Sequence, residues 1–342
     1  MKGQTLFHIL VMALAILTGC KKQEAPTTSL PRSTPETEGV SSEGILRFLQ
    51  SIDTSRHEFH SFMMLRHGKV IAEGWWNPYR ADLKHTMYSV SKSWTSTAAG
   101  FAVSEGLLSV DDPVISFFPH QLPENVSENL KALRVKDLLS MSAGQEPDPS
   151  WKVTRETDWI KAFFETPLVR QPGTEFLYNT LATYMVSAIL QQVTGQRVID
   201  YLKPRLFDPL GIEGMDWETD PNGISVGGWG LRVKTEDMAK LGQLYLQQGV
   251  WNGKQLLPKD WIEEATSAVM EDSAPYLPDS LKAKSDWAQG YGYQFWRCRF
   301  GAYRADGAYG RRDRPQTRRR RRNRNGMIVP GRELTYIRKK LH

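Results

Sequence analysis

Ser89 and Lys92 stand three positions apart, as Ser-x-x-Lys, in the stretch MYSVSKSWTSTAAG. Residues three apart share one face of a helix, so the lysine amine can reach the serine hydroxyl. A serine becomes a nucleophile when a neighbouring base takes its proton, and a lysine serves as that base when burial or a nearby cation lowers its pKa. Free N–H groups at a helix start would also favour an oxyanion beside Ser89. Alone, however, this common spacing favours an ordinary capped helix.

The surrounding sequence predicts the elements that would position this pair. A helix is expected from Ser89 to about Val103, and SFMMLRHGKVIAEGWW before it predicts a β-hairpin with its turn at His67-Gly68. Helical segments ended by glycine or proline follow, and β-type sequence returns in GYGYQFWRCRFGAYRADGAYG. The order predicts an α/β (α+β) fold, in which an antiparallel sheet is flanked by helices and interrupted by a mostly helical region at about 115–289.

The N-terminus has the features of a targeting segment. Lys2 precedes the apolar stretch LFHILVMALAILTG, which is short for a membrane span, so residues 1–20 are predicted to be a signal peptide. The sequence LTGC resembles a bacterial lipobox and makes Cys20 the expected lipidation site, with a simple transmembrane anchor as the alternative. The Pro- and Thr-rich residues 21–40 are predicted to be a flexible tether. The expected location is the bacterial cell envelope, lipid-anchored at the periplasmic face.

The charge of the chain is concentrated at its C-terminal end. Residues 311–342 hold 13 of the 44 Lys and Arg residues and 2 of the 38 Asp and Glu residues, so the rest of the chain carries 31 basic and 36 acidic residues. The main body is therefore mildly acidic, and nucleic acid is not an expected partner. With Cys20 assigned to lipid, Cys298 is left alone, so neither a disulfide, a metal nor another cofactor is expected.

Longer stretches around the Ser-x-x-Lys pair resemble a known family. YSVSKSWTSTAAGFAVSEGLLSVDDPV, VKDLLSMSAG and PGTEFLYNTLATYMVSAILQQVTG are similar, in that order, to motifs of the serine β-lactamase and penicillin-recognising proteins. Within that family the motifs resemble the branch of class C β-lactamases and esterases, which includes the 6-aminohexanoate-oligomer hydrolases. The resemblance implies a β-lactamase/transpeptidase-like domain at residues 41–310. It makes Ser89 the nucleophile, Lys92 its neighbour and Tyr178 the proton carrier of a Tyr-x-Asn motif.

Two positions depart from the family pattern. Thr180 stands where the Tyr-x-Asn motif has Asn, so Asn179 either takes over that hydrogen-bonding role or simply caps the helix. The third family motif, Lys-Thr-Gly or His-x-Gly on an edge strand, has Ala305-Asp306-Gly307 as its counterpart. The resemblance then implies that Thr180, Asp306 and Gly307 contact substrate. It also implies an oxyanion hole formed by the backbone N–H groups of Ser89 and Ala308.

The end of the chain departs further from the family. Residues 311–342 form an Arg-rich tail, and residues 311–325 contain no apolar side chain to bury. We expect the family's C-terminal strands to be missing and the tail to be disordered, with a frameshift near codon 311 as the hypothesis that explains both. Loss of strands would reduce stability and activity. A contact between the tail and an anionic polymer or membrane is the less favoured alternative.

The function predicted is that of a serine hydrolase acting through an acyl-enzyme on a small ester, amide or β-lactam. Esterase, β-lactamase and D-Ala-D-Ala carboxypeptidase activities all fit, and the loss of the cationic residue at Ala305 favours an esterase or amidase. Whether Lys92 or Tyr178 is the base is left open, as is the oligomeric state. The alternative is a non-catalytic or degenerate envelope lipoprotein of the same fold.

Overall fold

The structure is a computed structural model that describes residues 28–54 and 59–299, together with the backbone of strands at 302–305, 309–311, 326–329 and 335–340. Among the described strands, seven form one sheet in the order β2-β1-β12-β11-β10-β9-β8, and its pairings are antiparallel apart from β10 with β11. Smaller sheets have the orders β3-β5-β4 and β6-β7. The strands are β1 (Phe59–Arg66), β2 (Lys69–Trp75), β3 (His85–Thr86), β4 (Asp216–Trp217), β5 (Leu231–Val233), β6 (Val250–Trp251), β7 (Lys254–Gln255), β8 (Phe295–Arg297), β9 (Ala302–Ala305), β10 (Tyr309–Arg311), β11 (Gly326–Val329) and β12 (Thr335–Lys340).

Helices cover the sheet and build the second region between β3 and β8. Helices α2 and α7 pack against each other in the main hydrophobic core, and α10 packs on β1, β11 and β12. The predicted mixed α/β fold with a mostly helical second region is therefore confirmed. The helices are α1 (Ser42–Asp53), α2 (Ser91–Ser104), α3 (Glu128–Ala132), α4 (Val135–Leu139), α5 (Ser150–Val153), α6 (Trp159–Phe164), α7 (Thr180–Thr194), α8 (Val198–Leu202), α9 (Asp208–Leu210), α10 (Thr235–Leu246), α11 (Lys259–Ala265) and α12 (Asp279–Lys282).

The first two strands form the hairpin that the sequence predicts. His67 and Gly68 connect them with φ angles of +50° and +76°, the left-handed conformation that a two-residue hairpin turn requires at both positions. His67 is thus a turn residue, in agreement with the sequence-based interpretation of this segment.

The structure corrects the predicted boundary between the tether at residues 21–40 and the folded domain. The second half of this polar segment lies on the folded domain. The Ser33 N–H donates to the carbonyl of Val70 on β2 at 2.9 Å. The Arg32 guanidinium forms an ion pair with Glu236 on α10 at 2.8 Å. Ordered structure thus begins before Ser41, where the sequence placed it. The polar composition alone predicts a tether, because the partners that hold these residues on the domain are distant in sequence and leave no local pattern.

Glu38 ties this segment to the hairpin turn. Its carboxylate accepts hydrogen bonds from Lys69 Nζ and Ser33 Oγ, both at 2.8 Å, and lies 2.9 Å from His67 Nδ1. The hydrogen bond from Lys69, followed by those from His67 and Ser33, lowers the pKa of Glu38 from 4.5 to about 2. The ionised carboxylate is therefore favoured by folding.

We expect Glu38 to make stability pH-dependent in the acid range. Its folded pKa lies below its unfolded value, so the stabilisation is present above about pH 4.5 and is lost as pH falls towards about 2. Glu38→Gln should flatten the slope of unfolding free energy against pH in that window, measured by urea denaturation. Glu43→Gln, at an exposed carboxylate on α1, is the matched control and should keep the wild-type slope. Equal slopes for all three proteins would contradict the prediction.

The structure also corrects the expectation that the C-terminal strands of the sheet are missing. β11 and β12 are present, and β12 lies between β1 and β11, pairing Phe59 with Lys340 at one end and Leu65 with Thr335 at the other. The expectation that C-terminal strands are missing is therefore wrong. It rested on the Arg-rich residues 311–325, whereas the short runs Met-Ile-Val and Thr-Tyr-Ile that follow are typical of strands. Residues 312–325 lie outside the described residues.

Candidate active site

Ser89 and Lys92 come together at the start of α2. Ser89 lies in a single turn of 3₁₀ helix, Tyr88–Val90, which leads directly into α2. Lys92 is completely buried, and its Nζ donates hydrogen bonds to Ser89 Oγ at 3.2 Å and to the carbonyl of Gly228 at 2.8 Å. Tyr88, just before the serine, has a φ of +45°, which is costly for a residue with a side chain and typical of functional sites. The structure thus brings Ser89 and Lys92 into direct contact.

A glycine-rich loop holds the lysine from the other side. The Gly227 and Gly228 carbonyls accept hydrogen bonds from Thr95 Oγ1 and Lys92 Nζ, so the loop is fastened to the buried face of α2. A Cβ on Gly228 would lie 2.8 Å from Thr180 Cγ2, so only glycine fits this close approach. Trp229 stacks on Trp159 with ring centroids 5.9 Å apart and packs against the main hydrophobic core.

Tyr178 completes the cluster from a different element. It lies two residues before α7, and Lys92 Nζ is 5.1 Å from the centre of its ring. The ring is stacked on Trp296 of β8 at a centroid distance of 6.2 Å and an interplanar angle of 15°. Tyr178 is therefore held between the helical region and the sheet. A hydroxyl, a buried lysine amino group and a phenol in one cluster can exchange a proton among themselves.

Asn179 caps α7, which is one of the two roles left open for it. Its side-chain oxygen accepts from the N–H groups of Leu181 and Ala182, and its Nδ2 donates to Gln145 Oε1 at 2.7 Å. The side chain is almost fully buried. The next residue, Thr180, donates its backbone N–H to an Asp148 carboxylate oxygen at 3.0 Å. Asn179 thus fixes the direction in which the chain leaves Tyr178.

Replacement of Asn179 is expected to weaken the fold around Tyr178. Asn179→Ala removes a helix cap and leaves Gln145 Oε1 without its donor, so the free energy of unfolding should fall by about 2–4 kcal/mol. Ser127→Ala removes one cap bond from the exposed start of α3 and should cost only about 1 kcal/mol. Urea denaturation measures both, and an equal loss for the two variants would contradict the assigned role.

Gln294 is a buried residue of this region that sequence reasoning missed. Its amide accepts from Thr183 Oγ1 on α7 at 2.7 Å and donates to the Leu139 carbonyl at the end of α4, also at 2.7 Å. Its backbone carbonyl accepts from Ser93 Oγ on α2 at 2.9 Å. Gln294 therefore links α2, which carries Lys92, to α4 and to α7, which follows Tyr178. The three partners named here all lie more than 100 positions away, so no local sequence pattern could have revealed this role.

Several predicted site residues lie outside the described residues. These are the lipidation site Cys20, the substrate contacts Asp306 and Gly307, and the oxyanion-hole residue Ala308. Their roles stay predictions. Ala305, just before them, ends β9, which the structure places between β8 and β10 rather than at an edge of the sheet.

Within the part of the chain that the structure describes, no helix is long and apolar enough to cross a membrane. No group of three or more His, Cys, Asp or Glu side chains in the same residues is arranged to hold a metal ion. Cys298 is buried.

The segment that contains the Ser89, Lys92 and Tyr178 cluster matches a known protein family. The sequence model described as "Beta-lactamase" matches residues 60–315, a span that contains Ser89, Lys92 and Tyr178. The chain belongs to the beta-lactamase family. Two relatives of this chain are named as hydrolases.

Individual relatives are similar over part of their length. The 6-aminohexanoate-dimer hydrolase of Paenarthrobacter ureafaciens is 28% identical over 219 residues, which are 59% of this chain and 56% of that protein. A protein of Escherichia coli K12, provisionally named a D-alanyl-D-alanine carboxypeptidase, is 27% identical over 142 residues, or 37% of this chain and 33% of its own length. The chain thus spans about half of the first relative and a third of the second.

Solved structures share the fold. The octameric penicillin-binding protein homologue from Pyrococcus abyssi superposes with a TM-score of 0.61 at 19% identity, covering 77% of this chain and 67% of that one. At this level of identity the likeness concerns the beta-lactamase-type fold alone.

Proposed function

We propose that this chain is a serine hydrolase that cleaves ester or amide bonds through an acyl-enzyme on Ser89. One observation carries the proposal: the buried Lys92 Nζ lies 3.2 Å from Ser89 Oγ and 5.1 Å from the ring centre of Tyr178. A hydroxyl held against an amine and a phenol can lose its proton as it attacks. This arrangement is more specific than the Ser-x-x-Lys spacing, because Tyr178 comes from a distant segment that lies just before α7.

In the proposed reaction Ser89 Oγ attacks the substrate carbonyl carbon, and its proton passes to Lys92 or Tyr178. The carbonyl oxygen becomes an oxyanion, for which the N–H groups of Ser89 and Ala308 are the proposed donors. Collapse of this intermediate breaks the bond to the leaving alcohol or amine, which takes up the proton. Water then attacks the Ser89 ester, releases the acid and restores the hydroxyl.

Small esters and amides are the substrates proposed in preference to β-lactams and D-Ala-D-Ala peptides. Ala305 offers no positive charge where the family motif has Lys or His, so one means of holding a substrate carboxylate is lost. The relative named as a 6-aminohexanoate-dimer hydrolase supports an amide substrate. Anchoring through a lipid on Cys20 at the periplasmic face of the envelope is part of the same proposal.

A fluorophosphonate probe tests the proposal directly, since it forms a covalent adduct with an activated serine. The full chain is expected to be labelled, and peptide mass spectrometry should place the adduct on Ser89. Turnover of a p-nitrophenyl ester and of a chromogenic cephalosporin then compares the substrate classes, with the ester expected to react faster. If the chain is not labelled and hydrolyses neither compound, the non-catalytic lipoprotein is favoured instead.

A further inference from the structure

Met141 is a buried methionine whose backbone lies in the left-handed region. It follows the end of α4 by two residues, its φ is +60°, and its side chain is fully shielded from solvent. A residue with a side chain adopts this conformation at a cost in free energy, and keeps it only where the surrounding structure holds it there. Such strain is typical of functional sites, so the contacts of Met141 show what it is used for.

Met141 binds the chain on both sides of Tyr178. Its carbonyl accepts the N–H of Leu177 at 2.7 Å, and its thioether sulfur accepts the N–H of Asn179 at 3.3 Å. A thioether is a weak acceptor, but a buried N–H group without any acceptor would be costly. The backbone before and after Tyr178 is thus fixed to one residue.

Met141 also belongs to the apolar cluster against which the tyrosine ring packs. Met141 and Trp296 are both members of this buried cluster, and Tyr178 packs on it from the outside. The Tyr178 ring lies nearly parallel to the Trp296 ring, as described above. Backbone hydrogen bonds and ring packing therefore act together to keep Tyr178 beside Lys92.

Gln294 anchors the segment that leads to Met141. Its Nε2 donates to the carbonyls of Leu138 and Leu139 at 3.2 and 2.7 Å, and its backbone N–H donates to the Leu139 carbonyl at 3.1 Å. Gln294 is itself fully buried and has a φ of +66°. Two strained, buried residues from distant parts of the chain thus hold the segment that in turn holds Tyr178.

We infer that Met141 is a positioning residue for Tyr178, whose carbonyl and thioether fix the backbone from which the phenol reaches Lys92 and the leaving group. This inference rests on the proposed function, in which Tyr178 passes a proton. When the acyl C–O bond of an alkyl ester breaks, the electron pair goes to a strongly basic alkoxide oxygen, which must take up a proton as it leaves. p-Nitrophenolate leaves without one, so misplacement of Tyr178 should harm alkyl esters more.

Met141→Leu tests this role, because leucine keeps the apolar volume but accepts no hydrogen bond, and such an exchange preserves the fold. Ethyl butyrate and p-nitrophenyl butyrate form the same acyl-enzyme, so kcat/KM compares only its formation. We expect kcat/KM to fall about tenfold for the ethyl ester and about twofold for the p-nitrophenyl ester. Met238→Leu, at a buried methionine of α10, is the matched control and should change neither. Because the ratio of the two rates is taken on one preparation, incomplete folding does not affect it.

A double-mutant cycle separates positioning from a general loss of structure. Tyr178→Phe should show the same dependence on the leaving group, to a larger extent. Added to Tyr178→Phe, Met141→Leu should lower kcat/KM for ethyl butyrate by less than about twofold, because the phenol that it positions is gone. An equal loss on both esters, or a loss that is undiminished beside Tyr178→Phe, would overturn the inference.

Failure of the proposed function gives a different result. If the wild-type chain hydrolyses neither ester and Ser89 is not labelled by a fluorophosphonate, the proposed function fails. The position of Tyr178 is then measured by NMR on protein with isotope-labelled tyrosine rings, with its signal assigned through Tyr178→Phe. That signal should shift in Met141→Leu and stay in place in Met238→Leu. An unshifted signal in Met141→Leu would refute the positioning role.

Discussion

Ser89→Ala is expected to lower kcat for p-nitrophenyl ester hydrolysis by at least about a thousandfold, to near the uncatalysed rate. Alanine cannot form the acyl-enzyme, and no neighbouring hydroxyl replaces it. Ser93 and Ser96 are fully buried and donate to backbone carbonyls at Gln294 and Tyr293. Labelling by a fluorophosphonate should disappear together with turnover.

The fold should tolerate this change. Ser89 is only partly buried, and Lys92 keeps its hydrogen bond to the Gly228 carbonyl, so the free energy of unfolding should change by less than about 1 kcal/mol. Ser104→Ala, at the far end of α2, is the control and should retain full turnover. If Ser89→Ala hydrolysed the ester at the wild-type rate, the nucleophile would have to be sought elsewhere.

Deleting residues 326–342 is expected to abolish the cooperative unfolding transition of the whole protein. The deletion removes β11 and β12, and β12 is the strand that joins the β1–β2 hairpin to β11 and the remaining strands. β1 would keep β2 but lose its other partner strand, β12, along most of its length, although all of its residues from Phe59 to Leu65 are buried. Each buried backbone N–H or C=O group left without a hydrogen-bond partner costs about 1–3 kcal/mol. Several such groups together exceed the free energy of unfolding of an ordinary domain.

Circular dichroism during heating measures this effect. The wild-type chain should show one sharp transition, and the shortened chain a gradual change or none. Deleting only residues 341–342, which follow β12, is the control and should leave the transition in place. A shortened chain that melts sharply at the wild-type temperature would show that the sheet does not depend on β12.

Local signals in the sequence were sufficient for much of the fold and for the centre of the site. The β1–β2 hairpin, α2, α7 and α10 each have clear turn or stop signals, and the structure contains them. Ser89, Lys92 and Tyr178 were selected by motif, and they do lie together. These features depend on residues close in sequence, or on several motifs in a fixed order.

What the sequence did not reveal depends on partners far along the chain. Arg32 looked like part of a tether because Glu236, its ion-pair partner, is 204 positions away. β12 was missed because the Arg-rich run before it dominated the composition, whereas its pairing with β1 is a property of the whole sheet.

The position of β12 also sets the order of events during folding. Phe59 pairs with Lys340, so one of the longest strand pairings of the sheet joins two segments that lie far apart in sequence. Contacts this distant in sequence form slowly, because a large loop must close before they are made. A growing polypeptide would present the unpaired side of β1 until β12 has left the ribosome, and such an edge invites aggregation. We therefore expect refolding yields to depend strongly on protein concentration and to improve when a chaperone covers the unfinished hairpin.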